Sequence, residues 1–310
     1  MSAPSKADGR SRKRPSVIGA TRRVTQSLAL GLVFLLPYLH LYAATRAQGD
    51  RDALLETPLW RFFSALLYPF GDPEALARTI QGIPGWSFSL GPLSFSDPLL
   101  VLGPHAWSVP LLTSFLLPIG LTLLVGRYFC GWICPTGFIS EALSGLRRRA
   151  VAGGIRLPEW QIGTRWRYLL LALGAAYGVL TGITIFPWIY PPALLGREVF
   201  MAIAWSQAGI GLTFLLILAL AELLVAPRVW CHSLCPGGAL YSLLSRARLL
   251  RIRRRPEACV SCSRCVTACA FAQNPMADRI GPDCTACGAC VQSCPTQALA
   301  IALPIRKEAP

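Results

Sequence analysis

The chain has 310 residues, 53% of them hydrophobic and only 15% charged, with 30 Lys and Arg against 15 Asp and Glu for a net charge of +15. Soluble globular domains carry nearer a quarter charged residues, so long apolar segments are expected, and the basic surplus reads as charge flanking a membrane rather than as a nucleic-acid footprint. The 12 cysteines are uneven, with none before Cys130 and eight between Cys259 and Cys294. That distribution excludes a secreted disulfide scaffold and points to metal ligation.

Taken in chain order, a basic N-terminus (1–23) precedes an apolar region (24–226). Four stretches there meet the length of a bilayer span, about 20 mainly apolar residues. They are Val24–Ala44, Val109–Phe129, Tyr168–Tyr190 and Gly209–Ala226. Thr21-Arg22-Arg23-Val24 resembles a twin-arginine signal, but the apolar run that follows is too long for one and is read as a retained helix. Loop 46–108 contains Pro58–Pro69, whose Trp60 and Tyr68 suit a short interfacial helix. Gly174, Gly178 and Gly182 recur every four residues and predict a close-packing helix face. Basic residues dominate 1–23, 127–167 and the segment from 227 onward, whereas acidic residues exceed basic ones in 46–108. The positive-inside rule then places both termini in the cytoplasm and loop 46–108 in the periplasm.

A repeat runs through the apolar region. Cys130-Gly-Trp-Ile-Cys134-Pro135 follows the second stretch and Cys231-His-Ser-Leu-Cys235-Pro236 follows the fourth, 101 positions apart. Leu143, Ser144 and Arg147 match Leu244, Ser245 and Arg248 at the same offset. Repeated membrane halves often meet around a shared site. The four repeat cysteines are candidates for a third cluster, for redox dithiols or for a quinol contact. Glu222, inside the fourth apolar stretch, is a candidate proton acceptor. Of the three histidines, only His40 lies within a predicted span, and no C-x-x-C-H is present for c-type haem attachment.

A basic juxtamembrane segment (227–255) leads to a small domain (256–304) and a tail (305–310). The domain reads Cys259-x2-Cys262-x2-Cys265-x3-Cys269 and then Cys284-x2-Cys287-x2-Cys290-x3-Cys294-Pro295. This is the spacing of a bacterial ferredoxin with two [4Fe–4S] clusters, in which each run's fourth cysteine serves the other cluster. Crossed ligation assigns Cys259, Cys262, Cys265 and Cys294 to one cluster, and Cys284, Cys287, Cys290 and Cys269 to the other. The expected fold is an all-α membrane bundle of four transmembrane helices, built from two C-x3-C-P halves, plus a small α+β ferredoxin-like domain.

The ordered set of two C-x3-C-P motifs and two ferredoxin runs, with Ser96-Asp97-Pro98-Leu99 before the second stretch, resembles the NapH family of membrane iron–sulfur proteins. The membrane part of the NosR proteins and the MauN ferredoxin-type proteins are similar. The resemblance implies a multi-pass protein of the bacterial inner membrane that oxidises quinol and passes electrons toward a periplasmic or membrane redox partner. Ala270, where the ferredoxin pattern has proline, and the long loop 46–108 depart from it. Two other expectations compete: a copper reductase of the CcoG type, and a ferredoxin module feeding cytoplasmic electrons into the membrane.

Overall fold

The computed structural model describes residues 17–48, 58, 62, 65, 80–83, 87–90, 93–96 and 109–302, except 159, 161, 184, 278 and 279. The interfacial segment 58–69 as a whole, the Ser96–Leu99 motif, His105 and the tail 305–310 fall outside or across the edge of that set. So does the His40 side chain.

Helix α1 (Val17–Gln48) is followed by a three-stranded antiparallel meander, β1 (Ile80–Ile83), β2 (Ser87–Leu90) and β3 (Leu93–Ser96). The helical lobe continues with α2 (Val109–Val125), α3 (Tyr128–Trp132), α4 (Pro135–Ala152), α5 (Arg165–Thr181), α6 (Phe186–Ile189), α7 (Pro191–Trp205) and α8 (Ile210–Leu224). A π-helical turn (Trp230–Leu234) leads into α9 (Pro236–Leu244). The small lobe pairs β4 (Arg251–Arg254) antiparallel with β5 (Leu299–Ala302), Ile252 opposite Ile301. Two short helices, α10 (Arg264–Thr267) and α11 (Ala289–Ser293), lie between those strands in the chain.

The expectation of four transmembrane helices is not met. Among the described residues no helix is long and apolar enough to cross a membrane. The second apolar stretch stops at Val125, where Gly126 turns the chain at φ +96°. The third stops at Thr181, because Gly182 takes a left-handed conformation and caps the helix. It therefore terminates the small-residue face that Gly174 and Gly178 do form. The fourth holds only the 15 residues of α8, about 22 Å at 1.5 Å per residue, against a hydrocarbon core of about 30 Å. In α1, which is long, Arg22, Arg23, Thr25 and Gln26 interrupt the apolar character of the described portion. The charge argument weakens for a related reason. Arg127, Arg147 and Arg167, counted as loop charges in 127–167, are at most 3% exposed and bond protein groups.

The helical core has two centres. Leu171, Phe186, Tyr190, Ala193 and Ala239 form one, with Phe186 close enough to Gly174 that a Cβ there would lie 2.6 Å from its ring. Tyr128, Phe129, Cys134 and Tyr241 form the other, Phe129 stacking on Tyr241 at 5.2 Å. The first lies within the second repeat half, and the second joins residues of the first half to α9 of the second. The repeat also operates at helix ends, whose last carbonyls need partners. Arg147 of the first half donates to Leu223 O at the end of α8 at 2.6 Å. In the second half, the backbone N–H groups of Leu249 and Leu250 reach Leu123 O and Leu124 O at the end of α2. Each half thus closes the other half's apolar helix.

One carboxylate joins the two lobes. Asp283 Oδ1 accepts from Arg127 Nη1 at 3.0 Å, from Arg167 Nη2 at 2.5 Å and from the Ser242 hydroxyl. Burial alone would raise the Asp283 pKa, but Arg127, Ser242 and Arg167 together hold the carboxyl below its ordinary value. Both guanidinium groups are about 1% exposed, so removing their shared acceptor leaves two buried charges unmatched. Asp283→Ala is expected to cost about 3–5 kcal/mol, the scale for breaking a buried ion pair from one side. Ser242→Ala should cost only about 1 kcal/mol. Denaturant titration of the two variants against the parent checks the difference.

Candidate iron–sulfur sites

The two ferredoxin runs wind alike. Positive φ recurs at equivalent places 25 residues apart: Ser261 with Ala286, Ser263 with Gly288, and Ala272 with Gln297. Left-handed residues alternating with right-handed ones turn successive amides toward one side, the concave arrangement that receives anions and cluster sulfurs. Equivalent amides reach the fourth cysteines: Gln273 N–H donates to Cys269 Sγ at 3.4 Å and Ala298 N–H to Cys294 Sγ at 3.3 Å.

The first cysteine set surrounds one cavity, walled by Cys259, Cys262, Cys265 and Cys294. The fourth of these comes from the second run, as crossed spacing requires. The second set is recognised electrostatically. Burial pushes the Cys290 thiol up to about 12, and Cys287, Cys284 and Cys269 add to that rise. At Cys294 burial acts upward, but the Thr296 hydroxyl and the Ala298 amide bring the thiol below its usual value. Among the described residues no three His, Cys, Asp or Glu side chains converge closely enough to hold a single metal ion. A cubane asks for something different, four thiols around a space, and the wound loops with their inward amides fit such a group.

The repeat cysteines share a cavity of about 730 Å³. Cys130, Cys134, Cys231 and Cys235 all line it, with Cys287 and Phe271 of the ferredoxin lobe on another wall. The motif explains the placement. Cys134 and Cys235 occupy the N-cap positions of α4 and α9, each followed by proline at the first helical position, where its missing N–H costs nothing. Helix N-termini favour negative charge, including thiolate. Cys235 Sγ accepts from Gly238 N–H at 3.3 Å. Burial drives the Cys231 thiol well up, with Glu222, Cys235, Cys134 and Cys130 contributing in turn. All four cysteines are therefore near neighbours.

Three contributors were not visible as site residues in the sequence. Arg127 lies 3.8 Å from Cys130 Sγ while holding Asp283. Arg22 and Gln26 of α1 both donate to Gly131 O, and Arg22 also pairs with Glu141. The signal for Arg127 was present in the repeat, since Arg228 is its equivalent at the offset of 101. His232 turns instead toward Ser233.

Glu222 lines a different cavity. It is 3% exposed and lines a smaller apolar cleft of about 70 Å³ with Ile139, Leu143, Leu195, Leu215 and Leu218. Ser140 lines both this cleft and the cysteine cavity. Glu222 lies beside the Ser140 hydroxyl and the Trp230 backbone amide, with Arg228 acting on its charge from further away.

With cluster-shaped loops and matching cysteine runs in place, the chain is an iron–sulfur protein of the ferredoxin type. Comparison with known families agrees: one described as a 4Fe-4S binding domain matches residues 107–152 and 207–256, and another of the same description matches 282–300. The methylamine utilization ferredoxin-type protein MauN of Paracoccus denitrificans is 33% identical over 247 residues, 76% of this chain and 84% of that protein. The ferredoxin-type protein NapH of Escherichia coli is 31% identical over 214 residues, covering 64% and 71%. NapH of Haemophilus influenzae is 29% identical over 234 residues, covering 69% and 77%. No solved structure matches. The chain belongs to the NapH and MauN family of ferredoxin-type electron-transport proteins.

The cavity's shape depends on one close approach. A Cβ at Gly137 would stand 2.6 Å from Cys130 O, so any side chain there must move the backbone that carries the first cysteine. Gly137→Ala is expected to destabilise the helical lobe by about 1–3 kcal/mol, as overpacking does. Thermal unfolding of this variant beside Gly145→Ala, where the same atom meets only the tip of Arg148 at 3.8 Å, checks it.

Proposed function

We propose that this protein oxidises a quinol at the membrane and passes the electrons through two [4Fe–4S] clusters toward a redox partner. Cys259, Cys262, Cys265 and Cys294 hold one cluster, and Cys284, Cys287, Cys290 and Cys269 hold the other. When bound, the clusters supply one-electron chemistry. The protein's own groups bind the substrate, take its protons and keep the route between sites short.

The observation that carries this reading is the placement of Glu222. A buried carboxylate beside Ser140 and the Trp230 amide closes an apolar cleft close enough to Cys231 to act on its charge. A quinol becoming a quinone gives up two electrons and two protons. The leucine-lined cleft of about 70 Å³ receives one edge of the ring, the tail lying on the exposed apolar side chains outside it, and one hydroxyl donates its proton to Glu222 as a general base. Ser140, shared by both cavities, receives the substrate's hydrogen bond and leads the second proton toward the charged cavity around Glu141. The two electrons would be taken up one at a time by the clusters, and the repeat-cysteine cavity connects the two regions, sharing Ser140 with the cleft and having the ligand Cys287 on its wall.

Exposed apolar side chains support contact with lipid, where quinol resides. They include Leu173, Val179 and Leu180 on α5 and Ile210, Leu216 and Ile217 on α8. The exposed Arg246, Arg253 and Arg255 favour anionic headgroups, which supports the cytoplasmic membrane as the location and its cytoplasmic side for the ferredoxin lobe.

Anaerobic titration of the cluster-replete protein with a quinol analogue, followed by visible bleaching and electron paramagnetic resonance, tests the reading. Reduction by quinol is expected, with Glu222→Gln slowing it about a hundredfold. Reduction by dithionite alone, followed by reoxidation with quinone, would reverse the direction of flow. A second expectation concerns ligation. Cys294→Ala should remove the cluster of Cys259, Cys262 and Cys265 and leave the other, and Cys269→Ala should do the converse. Spectroscopic comparison with Cys265→Ala and Cys290→Ala assigns each loss, and uncrossed pairing would exchange the outcomes.

A further inference from the structure

Arg248 is a buried arginine with half of its fork in use. It is 4% exposed, and its Nη2 donates to Ile280 O at 2.7 Å. Its Nη1 is buried without a hydrogen-bond partner. Among the described residues it forms no ion pair with a carboxylate. Asp283, which acts on its charge, already serves Arg127, Arg167 and Ser242. A guanidinium taken out of water is costly unless acceptors or negative charge meet it.

The repeat supplies a comparison. Arg147 holds the equivalent position in the first half, 101 residues earlier. Its Nη1 donates to Leu223 O and its Nη2 to Pro158 O, so both nitrogens are spent on carbonyls. Arg248 spends one and keeps the other beside the second ferredoxin run. A ladder of three rungs fixes it there: the Ser242 hydroxyl bonds Asp283, the Ser245 hydroxyl bonds Pro282 O, and Arg248 bonds Ile280 O. Gly126 leaves the side chain its room, because a Cβ there would lie 2.9 Å from Arg248 Cδ and 3.7 Å from Nη1. The same point lies 3.6 Å from Cys284 O. The free nitrogen and the backbone of a cluster ligand therefore border one small space. Electrostatics agrees with the geometry. Burial raises the Cys284 thiol above its usual value, and the Ala286 amide and then Arg248 oppose the rise. Burial likewise lowers Arg248, and Cys284 is the strongest influence against it.

A neutral thiol is a weak acceptor and carries no charge to offset a guanidinium. A cluster on four thiolates is anionic and presents sulfur acceptors, and hydrogen bonds to those sulfurs help to set its potential. We propose, resting on the electron-transfer reading above and its ligand assignment, that Arg248 donates through Nη1 to the sulfurs of the cluster on Cys284, Cys287, Cys290 and Cys269 and raises its midpoint potential. Arg248 is a positioning residue that acts through charge. Reduction adds an electron to an already negative group, so a fixed cation beside it favours the reduced form. The other cysteine set has no such partner: Arg254, which acts on Cys259, is only half-buried at the surface. Two runs that look alike in sequence are thereby made unequal.

The test uses the full chain, purified anaerobically with its clusters and titrated with dithionite and redox mediators under electron paramagnetic resonance. The component absent from Cys290→Ala reports the cluster beside Arg248, whichever way the fourth cysteines pair. Arg248→Gln should make that component about tenfold harder to reduce, about 59 mV more negative for a one-electron couple, and leave the other in place. Arg248→Lys should recover most of the shift. Arg147→Gln removes the repeat-equivalent arginine and should move neither potential. In protein carrying isotope-labelled arginine, pulsed resonance on the same component should show coupling to a guanidinium nitrogen, which Arg248→Lys removes. That measurement on the parent decides where Arg248→Gln does not fold. An unshifted potential in Arg248→Gln overturns the proposal, as does an equal shift in Arg147→Gln or a parent without the nitrogen coupling. A parent with no cluster on the second run overturns it together with the ligand assignment. None of these measurements uses quinol, so failure of the quinol reading is seen separately, in the donor titration.

Discussion

The molecule turns on a carboxylate held between two buried guanidiniums. Asp283 precedes Cys284, the first ligand of the second ferredoxin run, while Arg127 precedes Cys130 by three residues and Arg167 lies in the first turn of α5. A single acceptor oxygen thereby ties the start of one ferredoxin loop to the entrance of the cysteine cavity and to a helix of the second repeat half. Electron transfer falls steeply with distance, so the value of such a tie lies in fixing the separation of redox groups. Buried ion pairs are weak contributors to net stability but strong specifiers of arrangement when their geometry is complete. Here Arg127 also reaches the Cys130 thiol, so the same side chain measures the gap between lobes and sets the charge beside the cavity.

The repeat supplies the second constraint. The two halves exchange caps: Arg147 closes α8, and the segment after Arg248 closes α2. Each apolar helix thus ends on the other half's polar groups, and the two C-x3-C-P turns that follow these ends are brought to one cavity. Short helices are the cost of this design. A helix that ran on past Gly126 or past Leu224 would carry its cysteine motif away from the shared space, which is a physical reason for chain reversal where uninterrupted apolar sequence suggested a longer span.

The ferredoxin lobe was legible because its ligand spacing is a local property, enforced within runs of eleven residues and repeated with the same left-handed positions at Ser261 and Ala286. The repeat was legible as pattern, and the family followed from the ordered motifs. Helix termination was not. Hydropathy sums over Val109–Phe129 or Tyr168–Tyr190 register glycine as nearly neutral, yet Gly126 and Gly182 take conformations that end their helices. Burial of arginine was equally hidden. A count of Lys and Arg by loop treats Arg127, Arg147, Arg167 and Arg248 as solvated charge, whereas all are buried at 4% exposure or less.

That last point changes what the net charge of +15 means. Part of it belongs to the surface, as in Arg253 and Arg255. Another part is structural, spent on helix carbonyls by Arg147 and on Ile280 O by Arg248. A third part lines the cysteine cavity without an equal number of protein anions. Charge of the first kind responds to lipid and salt, because it is screened within about 10 Å. Charge of the third kind is mixed: Arg127 is buried and Arg22 and Arg228 are half-buried beside the thiols, whereas Arg23 and Arg148 are exposed and screened like the first kind. A basic composition read as one quantity therefore conceals two functions, one directed at the surroundings and one at the thiols. The repeat-related pair Arg127 and Arg228 is where the second can be recognised from sequence, three residues ahead of each C-x3-C-P motif.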